Sequence, residues 1–356
     1  STVDLDHVTV GSGRASRLSD VSIAIDDGAL VAVVGASGCG KTSLLRAVAG
    51  LDRIDHGAVR LDGRDVTRAT PGERDVGMVF QTPALIGHLS ARRNVSFPLD
   101  VRRMATDEIR RRVDAEARAL HIEQLMHREP ATLSAGEQQM VQIARALVRV
   151  PNVLLLDEPF ASLDEQLRGR MRAEFAVLQS GYQVTTLMTT NDSADVESLA
   201  GTVAVLDGGR LVQFGDTAVV RRLPVNLPAA VATGPLSLIE MTVVGAQQGF
   251  WLQRVDPAGG ELLRIRAWSP ALADHVGTTV TVGLRPEDVE IADTGTIPAT
   301  IRSTAQFGGA GVACLVAGVR VGATVAAGRP PAIGSAVRLR VHHHAVFDRS
   351  DDRRIG

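Results

Sequence analysis

The glycine-rich stretch GASGCGKTS, Gly35 to Ser43, constrains this chain more than any other feature. It follows the apolar run LVAVVG (30–35), which predicts a buried strand, and it leads into TSLLRAVAGL (42–51), whose apolar spacing predicts a helix. Glycines let successive backbone N–H groups turn inward at a helix N-terminus, where the helix dipole favours negative charge. The stretch therefore predicts a strand–loop–helix unit that holds phosphate. An ordinary glycine-rich turn is the alternative, and the flanking pattern disfavours it.

The spacing within this loop, Gly-x-x-x-x-Gly-Lys-Thr, is the P-loop pattern. We expect Lys41 to reach the β- and γ-phosphates of ATP and the Thr42 hydroxyl to bind Mg²⁺. Cys39 is interpreted as a tolerated small residue rather than a redox sensor. Because it lies beside Lys41 and a helix N-terminus, we expect its thiolate to be favoured, thiol reagents to block activity, and MgATP to protect. The residues predicted to bind ATP from this loop are Gly35, Ser37, Gly38, Cys39, Gly40, Lys41, Thr42 and Ser43.

A second apolar run, LLLDEP (154–159), ends in two adjacent carboxylates. A strand-end aspartate next to a P-loop holds the Mg²⁺ shell in nucleoside triphosphatases, so Asp157 is the predicted metal ligand. Glu158 is placed to orient or deprotonate a water molecule near the γ-phosphate. Acidic residues also close ordinary strands, which is the alternative interpretation.

Short apolar runs alternate with longer helical segments from Val3 to about Phe214, which is typical of an α/β layer fold. A Pro- and Gly-rich stretch (219–235) then leads into short alternating runs, which predict an all-β module, a small barrel or sandwich. We therefore predict two domains, 1–235 and 236–356. The runs predicted as strands are 30–35, 76–80, 152–159, 185–190 and 202–209, followed by 249–255, 262–268, 279–291, 313–318 and 336–342, and a further helix is predicted over 107–126.

Composition excludes several function classes. The formal charge is −2, so there is no global attraction to nucleic acid or to an anionic membrane. The two cysteines, Cys39 and Cys314, have no metal-ligand spacing, which favours a reducing cytosol. The most apolar region (223–244) contains three prolines and is not expected to span a bilayer as a helix of about 20 residues.

The stretch LSAGEQQMVQIARALV (133–148) resembles the signature motif of ABC ATPases. Neighbouring motifs agree in order: Gln81 matches the Q-loop, LLLDEP the Walker B motif with its catalytic glutamate, and SLDEQLR (162–168) the D-loop, with Ser162 and Asp164 as its site residues. The resemblance covers about residues 3–230. It implies an ATPase with a helical subdomain at about 82–150, and it adds Gln81 to the ligands of Mg²⁺.

The same resemblance implies a head-to-tail dimer in which each ATP lies between one subunit's P-loop and the other subunit's signature helix. The residues that would contact ATP across the interface are Ser134, Ala135, Gly136 and Glu137. Ser134 and Glu137 also fit a helix capping box, S-x-x-E, and both interpretations are compatible because a capped helix start presents the donors.

The C-terminal part resembles the OB-like TOBE domain of maltose-type importer ATPases, in VGLRPEDVEI (282–291) and ATGPLSLIE (232–240). This implies the energy-coupling ATPase of a binding-protein-dependent importer for a sugar or sugar-like solute. It would lie at the cytoplasmic face of the membrane, bound to two permease subunits and indirectly to an extracytoplasmic solute-binding protein, without nucleic acid. The pair Arg285 and Glu287 is either a structural turn with an ion pair or a regulatory contact.

Other interpretations stay open at this stage. Polyamine, iron and glycerol-phosphate importers have related ATPases, and a soluble ABC ATPase of DNA repair or translation belongs to a different class. The latter usually carries tandem units, coiled coils or zinc motifs, which are not visible here. A small-molecule kinase would not explain the 133–148 motif. The side chains of Leu85, Leu89 and Phe97 either line a groove for permease helices or belong to the core.

Three features depart from the family pattern. Asn191 stands where the family has its switch histidine, and an amide cannot carry a proton at neutral pH, so we expect Glu158 to support hydrolysis at a reduced rate. Ser12 stands where the family stacks an aromatic ring on adenine, which predicts weak discrimination between ATP and GTP. Ala135 and Glu137 replace Gly and Gln in the signature motif.

Overall fold

The computed structural model describes residues 1–11, 16–255, 262–306, 310–316, 318–325 and 331–356. They form two compact units, Ser1–Thr217 and Ala218–Gly356. Residues 218–235, which the sequence pattern groups with the first domain, belong to the second unit, where Ala230 packs with the buried Phe347. Within the described residues, no helix is both long and apolar enough to cross a membrane.

The first unit contains a six-stranded sheet in the order β10-β9-β3-β8-β7-β6, in which the last five strands run parallel and β10 pairs antiparallel to β9. All five predicted strands of this unit are confirmed there. The carboxyl ends of parallel strands meet at one sheet edge, which is where ligands bind in such folds. The six strands are β3 (Leu30–Val34), β6 (Val76–Val79), β7 (Val153–Asp157), β8 (Thr185–Thr189), β9 (Thr202–Asp207) and β10 (Arg210–Asp216).

A second, antiparallel sheet lies in the same unit, in the order β2-β1-β4-β5, and its apolar face packs around helix α1 in one hydrophobic core. The buried Arg74 closes the end of that helix, since Nη1 donates to the carbonyl oxygens of Ala47 at 2.8 Å and Val48 at 2.9 Å. Its Nη2 and Nε donate to the carbonyls of Thr67 and Ala69. The elements are β1 (Val3–Val10), β2 (Leu18–Ile25), α1 (Lys41–Ala49), β4 (His56–Leu61) and β5 (Arg64–Asp65).

Helices fill much of the chain between β6 and β7 and connect the later strands. The helix predicted over 107–126 begins as expected but ends at Ala119. Leu120, Ile122 and Leu125 are all buried, and residues two apart do not share a helical face, so the chain leaves the helix to bury them. The helices are α2 (Ala91–Val101), α3 (Thr106–Ala119), α4 (Ala135–Leu147), α5 (Glu165–Tyr182), α6 (Ser193–Leu199), α7 (Thr217–Arg222) and α8 (Leu227–Ala232).

The second unit is β-rich, as predicted, and combines a five-stranded sheet, β13-β12-β11-β14-β20, with a closed barrel, β15-β18-β17-β16-β19. The run predicted over 279–291 is two strands, because Pro286 lacks the N–H that a continuous strand would need. The strands are β11 (Ser237–Gly245), β12 (Phe250–Val255), β13 (Leu262–Ala267), β14 (Thr279–Leu284), β15 (Val289–Ile291), β16 (Ile297–Gln306), β17 (Ala310–Val316), β18 (Val319–Val325), β19 (Ala336–Val341) and β20 (Ala345–Phe347).

Candidate functional site

The glycine-rich loop connects β3 to α1, and two of its glycines have conformations that a side chain would not tolerate. Gly40 caps α1 with φ of 110°, and a Cβ there would lie 2.5 Å from the Arg17 carbonyl oxygen. Gly35 has φ of 146°, and its Cβ would lie 2.1 Å from the Leu206 carbonyl oxygen. The loop is therefore held in one shape by its backbone, with the start of α1 behind it.

Lys41 and Thr42 open helix α1 and point to different parts of the site. The buried Lys41 amine donates to the carbonyl oxygens of Gly35 at 2.8 Å and Ala36 at 3.2 Å, so it lies within the curve of the loop. The Thr42 hydroxyl donates to Asp157 Oδ1 at 2.9 Å. The structure thus brings the loop and the first carboxylate of LLLDEP together, although 115 residues separate them.

Thr189, at the end of β8, joins the two carboxylate residues. Its hydroxyl donates to Asp157 Oδ1 at 2.8 Å and accepts from the backbone N–H of Glu158 at 2.9 Å. Glu158 itself has φ of 44°, which turns the chain away from the strand at that point. Sequence reasoning did not select Thr189, although a threonine pair ending an apolar strand was a visible signal.

The Glu158 carboxylate accepts hydrogen bonds from two carboxamides. Gln81 Nε2 donates to Oε2 at 3.0 Å, and Asn191 Nδ2 donates to Oε1 at 2.6 Å. Three residues that the motifs treat separately therefore meet at one carboxylate. A cavity of about 390 Å³ lies beside them, lined in part by Glu158, Asn191 and Arg168.

An ionic network fixes the turn that carries Asn191. Arg172 of α5 binds Asp195 and Asp192, each at 2.5 Å, and Arg168 binds Asp192 at 3.1 Å. The Thr190 hydroxyl donates to Asp195 and accepts from the Asp192 N–H. These contacts attach the turn to α5, so Asn191 is presented from a braced segment. Sequence reasoning missed this network because its members are spread over 168–195.

The donor set fits a magnesium ion bound together with a nucleotide. Thr42 and Asp157 supply hard oxygen ligands at the loop, and the hydrogen bond from Gln81 Nε2 to Glu158 leaves the Gln81 carboxamide oxygen for a cation. The described residues contain no group of three or more His, Cys, Asp or Glu that could hold a metal. Such a group is not required for Mg²⁺, which is characteristically bound by one or two carboxylates and completes its shell with phosphate oxygens and water.

The expectation that the Cys39 thiolate is favoured is wrong. Its thiol is buried, and burial raises its pKa, although Lys41 acts in the opposite direction. The sequence shows the positive charge and the helix N-terminus, but not the desolvation that outweighs them. The thiolate is disfavoured at neutral pH.

The signature segment begins helix α4 with the predicted capping box. Ser134 Oγ accepts from the Glu137 N–H at 3.3 Å, and Glu137 Oε2 accepts from the Ser134 N–H at 2.8 Å. This backbone hydrogen bond holds the pKa of Glu137 below its ordinary value, with Arg128 contributing. Ser134 and Ala135 are exposed, which leaves this helix start accessible to a partner.

The D-loop segment packs against the signature helix. Asp164 caps α5 by accepting from the Leu167 N–H at 3.0 Å, and Ser162 is exposed. Gly136 of α4 is buried, and a Cβ at that position would lie 2.6 Å from Leu167 and 3.0 Å from Leu163. Ser12 lies outside the described residues, so its predicted role at the adenine stays a prediction.

Two further predicted groups have defined environments. Arg285 is buried and donates to the Ala230 carbonyl and to Thr233 Oγ1, each at 3.0 Å. Glu287 forms an ion pair with Arg221. The interpretation of Phe97 as core is wrong, because 43% of the residue is exposed on α2.

A Gly-x-x-x-x-Gly-Lys-Thr loop between a parallel strand and a helix, with its threonine bonded to a strand-end aspartate, defines the class of P-loop nucleoside triphosphatases, to which this chain belongs. The profile of the family described as ABC transporter matches residues 18–161, and that of the TOBE domain matches residues 282–347.

Two curated proteins that are similar to this chain are ATP-binding proteins of importers. The chain is 36% identical over 343 residues to the sn-glycerol-3-phosphate import ATP-binding protein UgpC of Chromobacterium violaceum, covering 95% of this chain and 91% of that one. It is 36% identical over 297 residues to the protein of the same name from Brucella abortus, covering 83% and 79%.

Among solved structures, one similar to this chain is the ATP-binding cassette MJ0796, a dimer in a post-hydrolysis state bound to ADP and Pi. It aligns with a TM-score of 0.55 at 28% sequence identity, and the alignment covers 60% of this chain and 98% of that chain. A second solved structure, cbiO1 of Clostridium perfringens, part of the ABC transporter complex cbiONQ, aligns with a TM-score of 0.56 at 27% identity. The alignment covers 64% of this chain and 96% of that chain. The chain belongs to the ATP-binding proteins of ABC importers that carry a TOBE domain.

Proposed function

We propose that this chain hydrolyses ATP as a head-to-tail dimer and thereby drives the import of a sugar or sugar-like solute through two permease subunits. One observation carries the proposal: Gln81 and Asn191 both donate hydrogen bonds to the carboxylate of Glu158. Glu158 directly follows Asp157, which is bonded to the first turn of the helix behind the glycine-rich loop. The similar structure of a cassette dimer bound to ADP and Pi supports a dimeric arrangement.

Each residue has a defined task in this proposal. Lys41 and the loop amides bind the β- and γ-phosphates, and Thr42, Asp157 and Gln81 hold Mg²⁺, which neutralises charge on the phosphates. Glu158 accepts a proton from the attacking water or orients it, and Asn191 and Gln81 fix its two oxygens. From the second subunit, Ser134 and the amide of Gly136 reach the γ-phosphate at the start of α4.

ATP in this arrangement joins the two subunits, and hydrolysis releases them. Ala135 and Glu137 complete the signature segment, and Ser162 and Asp164 lie in the D-loop facing the same interface in the proposal. Residues 1–235 and 236–356 remain our proposed functional division, with the helical subdomain at about 82–150 receiving the permeases near Phe97. The chain acts at the cytoplasmic face of the membrane, and an extracytoplasmic binding protein delivers the solute.

The solute is proposed from the relatives' names. Two of them are named for the import of sn-glycerol-3-phosphate, a small polyol phosphate, so this is the first sugar-like solute to test. In the proposal, the permeases and the binding protein select the solute.

The proposal is tested in two steps. The Glu158→Gln variant, which retains ATP but loses the base, should form dimers with MgATP and remain monomeric with MgADP, measured by light scattering. With the permease subunits in proteoliposomes, the wild type should couple ATP hydrolysis to uptake of labelled sn-glycerol-3-phosphate and the variant should not. If the variant stays strictly monomeric under saturating MgATP, both alone and with the permeases, the proposed dimer is refuted. If the wild type takes up maltose instead, only the proposed solute is refuted.

A further inference from the structure

Both tryptophans of the chain belong to one hairpin of the second unit, since Trp251 lies on β12 and Trp268 directly follows β13, which carries two arginines. The register places Trp251 opposite Arg266 and Gln253 opposite Arg264. Leu263, Ile265 and Ala267 are buried, so the alternate residues of β13 face the opposite, outer side of the sheet. The outer face of this hairpin therefore carries an aromatic and cationic strip, which we name the Trp–Arg face: Trp251, Arg264, Arg266 and Trp268.

The members of the Trp–Arg face are stacked on one another. The guanidinium carbon of Arg266 lies 4.0 Å from the Trp268 ring centroid and 5.8 Å from that of Trp251. Arg264 lies 5.9 Å from the Trp251 ring. The Trp268 ring also lies over Gly249, whose Cβ, if present, would be 3.1 Å from it. These contacts orient the side chains, although Trp268 is 61% exposed.

The two guanidinium groups have only neutral hydrogen-bond acceptors within the part of the chain that the structure describes. Arg264 donates to Gln253 Oε1 at 3.2 and 3.3 Å, and Arg266 donates to the Gln248 carbonyl at 3.3 Å. Elsewhere on this sheet, Glu240 is paired with Arg349 at 3.0 Å. The face is thus positively charged in a chain whose net charge is −2.

Exposed tryptophan and arginine are the residue types that contribute most to protein interfaces. A guanidinium stacked on an indole keeps its N–H edge for a carboxylate, which it binds in a fork geometry. Side chains two residues apart on a strand are about 6.7 Å apart, and the carboxylates of an extended peptide with acidic residues at alternate positions repeat at the same distance. Charge and spacing both match such a peptide.

We propose that the Trp–Arg face binds an extended, acidic segment of a partner polypeptide, with carboxylates on Arg264 and Arg266 and apolar side chains on the two indoles. None of its four residues is assigned to ATP, so the contact is additional to the ATPase reaction.

The test uses the full chain and a labelled peptide that alternates Glu and Val, with a Gln–Val peptide as its control. Binding is followed by anisotropy and by intrinsic tryptophan fluorescence, which reports only from this face because both tryptophans lie there. We expect saturable binding of the Glu peptide that weakens with salt, at least fivefold weaker binding of the Gln peptide, and a change in tryptophan emission.

The variant Arg264→Gln/Arg266→Gln should weaken the Glu peptide at least fivefold, while Arg320→Gln/Arg340→Gln on the barrel, which removes the same charge, should not. ATPase activity should be unchanged in both. Equal affinity for the two peptides overturns the proposal, as does tighter binding of a single-stranded oligonucleotide to this face. A tryptophan signal that depends on protein concentration alone also overturns it, in favour of a second copy of the chain.

Discussion

Replacing Asn191 tests whether an amide at this position supports catalysis by fixing Glu158. Asn191 Nδ2 donates to Glu158 Oε1 at 2.6 Å, and Gln81 holds the other oxygen at 3.0 Å. A hydrogen bond to a charged group contributes about 1.5–3 kcal/mol, and because Asn191 is exposed and Glu158 only half-buried we take about 1 kcal/mol for this one. Since 1.4 kcal/mol corresponds to a factor of ten, Asn191→Ala should lower kcat about fivefold.

Two further variants make this prediction specific. Asn191→Asp keeps the shape but loses the donor and places a second carboxylate against Glu158, so kcat should fall further than in Asn191→Ala. Asn191→His restores a donor and should retain or raise kcat, while introducing a pH dependence near the ordinary histidine pKa of about 6.5. Steady-state ATPase rates from pH 6 to 8, with binding of a non-hydrolysable analogue as control, distinguish kcat from affinity. An Asp variant as active as the wild type, or a large loss with His, refutes the reasoning.

Three other predictions concern buried groups. Because burial raises the pKa of Cys39, iodoacetamide should modify this thiol more slowly than a free cysteine peptide at pH 7. MgATP should slow the modification further, and its rate should rise with pH. The rate is measured by mass spectrometry in a Cys314→Ser background, where fast labelling at pH 7 would contradict the prediction. Arg74→Met removes the hydrogen bonds to the carbonyls of Ala47, Val48, Thr67 and Ala69. It should lower the free energy of unfolding of the first unit by about 3 kcal/mol, measured in urea, whereas Arg68→Met at an exposed position should change it by less than about 0.5 kcal/mol. Similar effects of the two variants would refute the role of Arg74. Burial raises the pKa of Glu116 to about 7, although the hydrogen bond from Tyr182 acts in the opposite direction. The protonated carboxyl therefore contributes stability that is fully present below its ordinary pKa near 4.5 and is lost as pH rises through about 7. Between pH 4.5 and 8 the free energy of unfolding of the wild type should fall by up to about 3 kcal/mol relative to Glu116→Gln, and parallel pH profiles would disprove this.

The sequence predicts the parts of this site that depend on local pattern. The strand, glycine loop and helix around Lys41 are contiguous, and the apolar run before Asp157 marks a buried parallel strand, so both were visible. The convergence at Glu158 follows once the parallel sheet is assumed, because strand ends meet at one edge.

The parts that were missed depend on contacts between distant residues or on burial. Thr189 bridges Asp157 and Glu158 from another strand, and Arg74 acts on a helix more than twenty positions earlier in the chain. Cys39 was misjudged because charge neighbours can be read from a sequence and desolvation cannot. The early end of the helix at Ala119 reflects tertiary burial of Ile122 rather than local propensity.

The close packing of Gly136 against Leu163 and Leu167 ties two segments into one mutational unit. Substitution at the beginning of α4 is limited by the ends of two leucine side chains about thirty positions later, so a methyl group at 136 should be accepted more readily when Leu167 is shortened. Epistasis between these positions, with each single change harmful and the pair tolerated, is the evolutionary signature that this contact should leave.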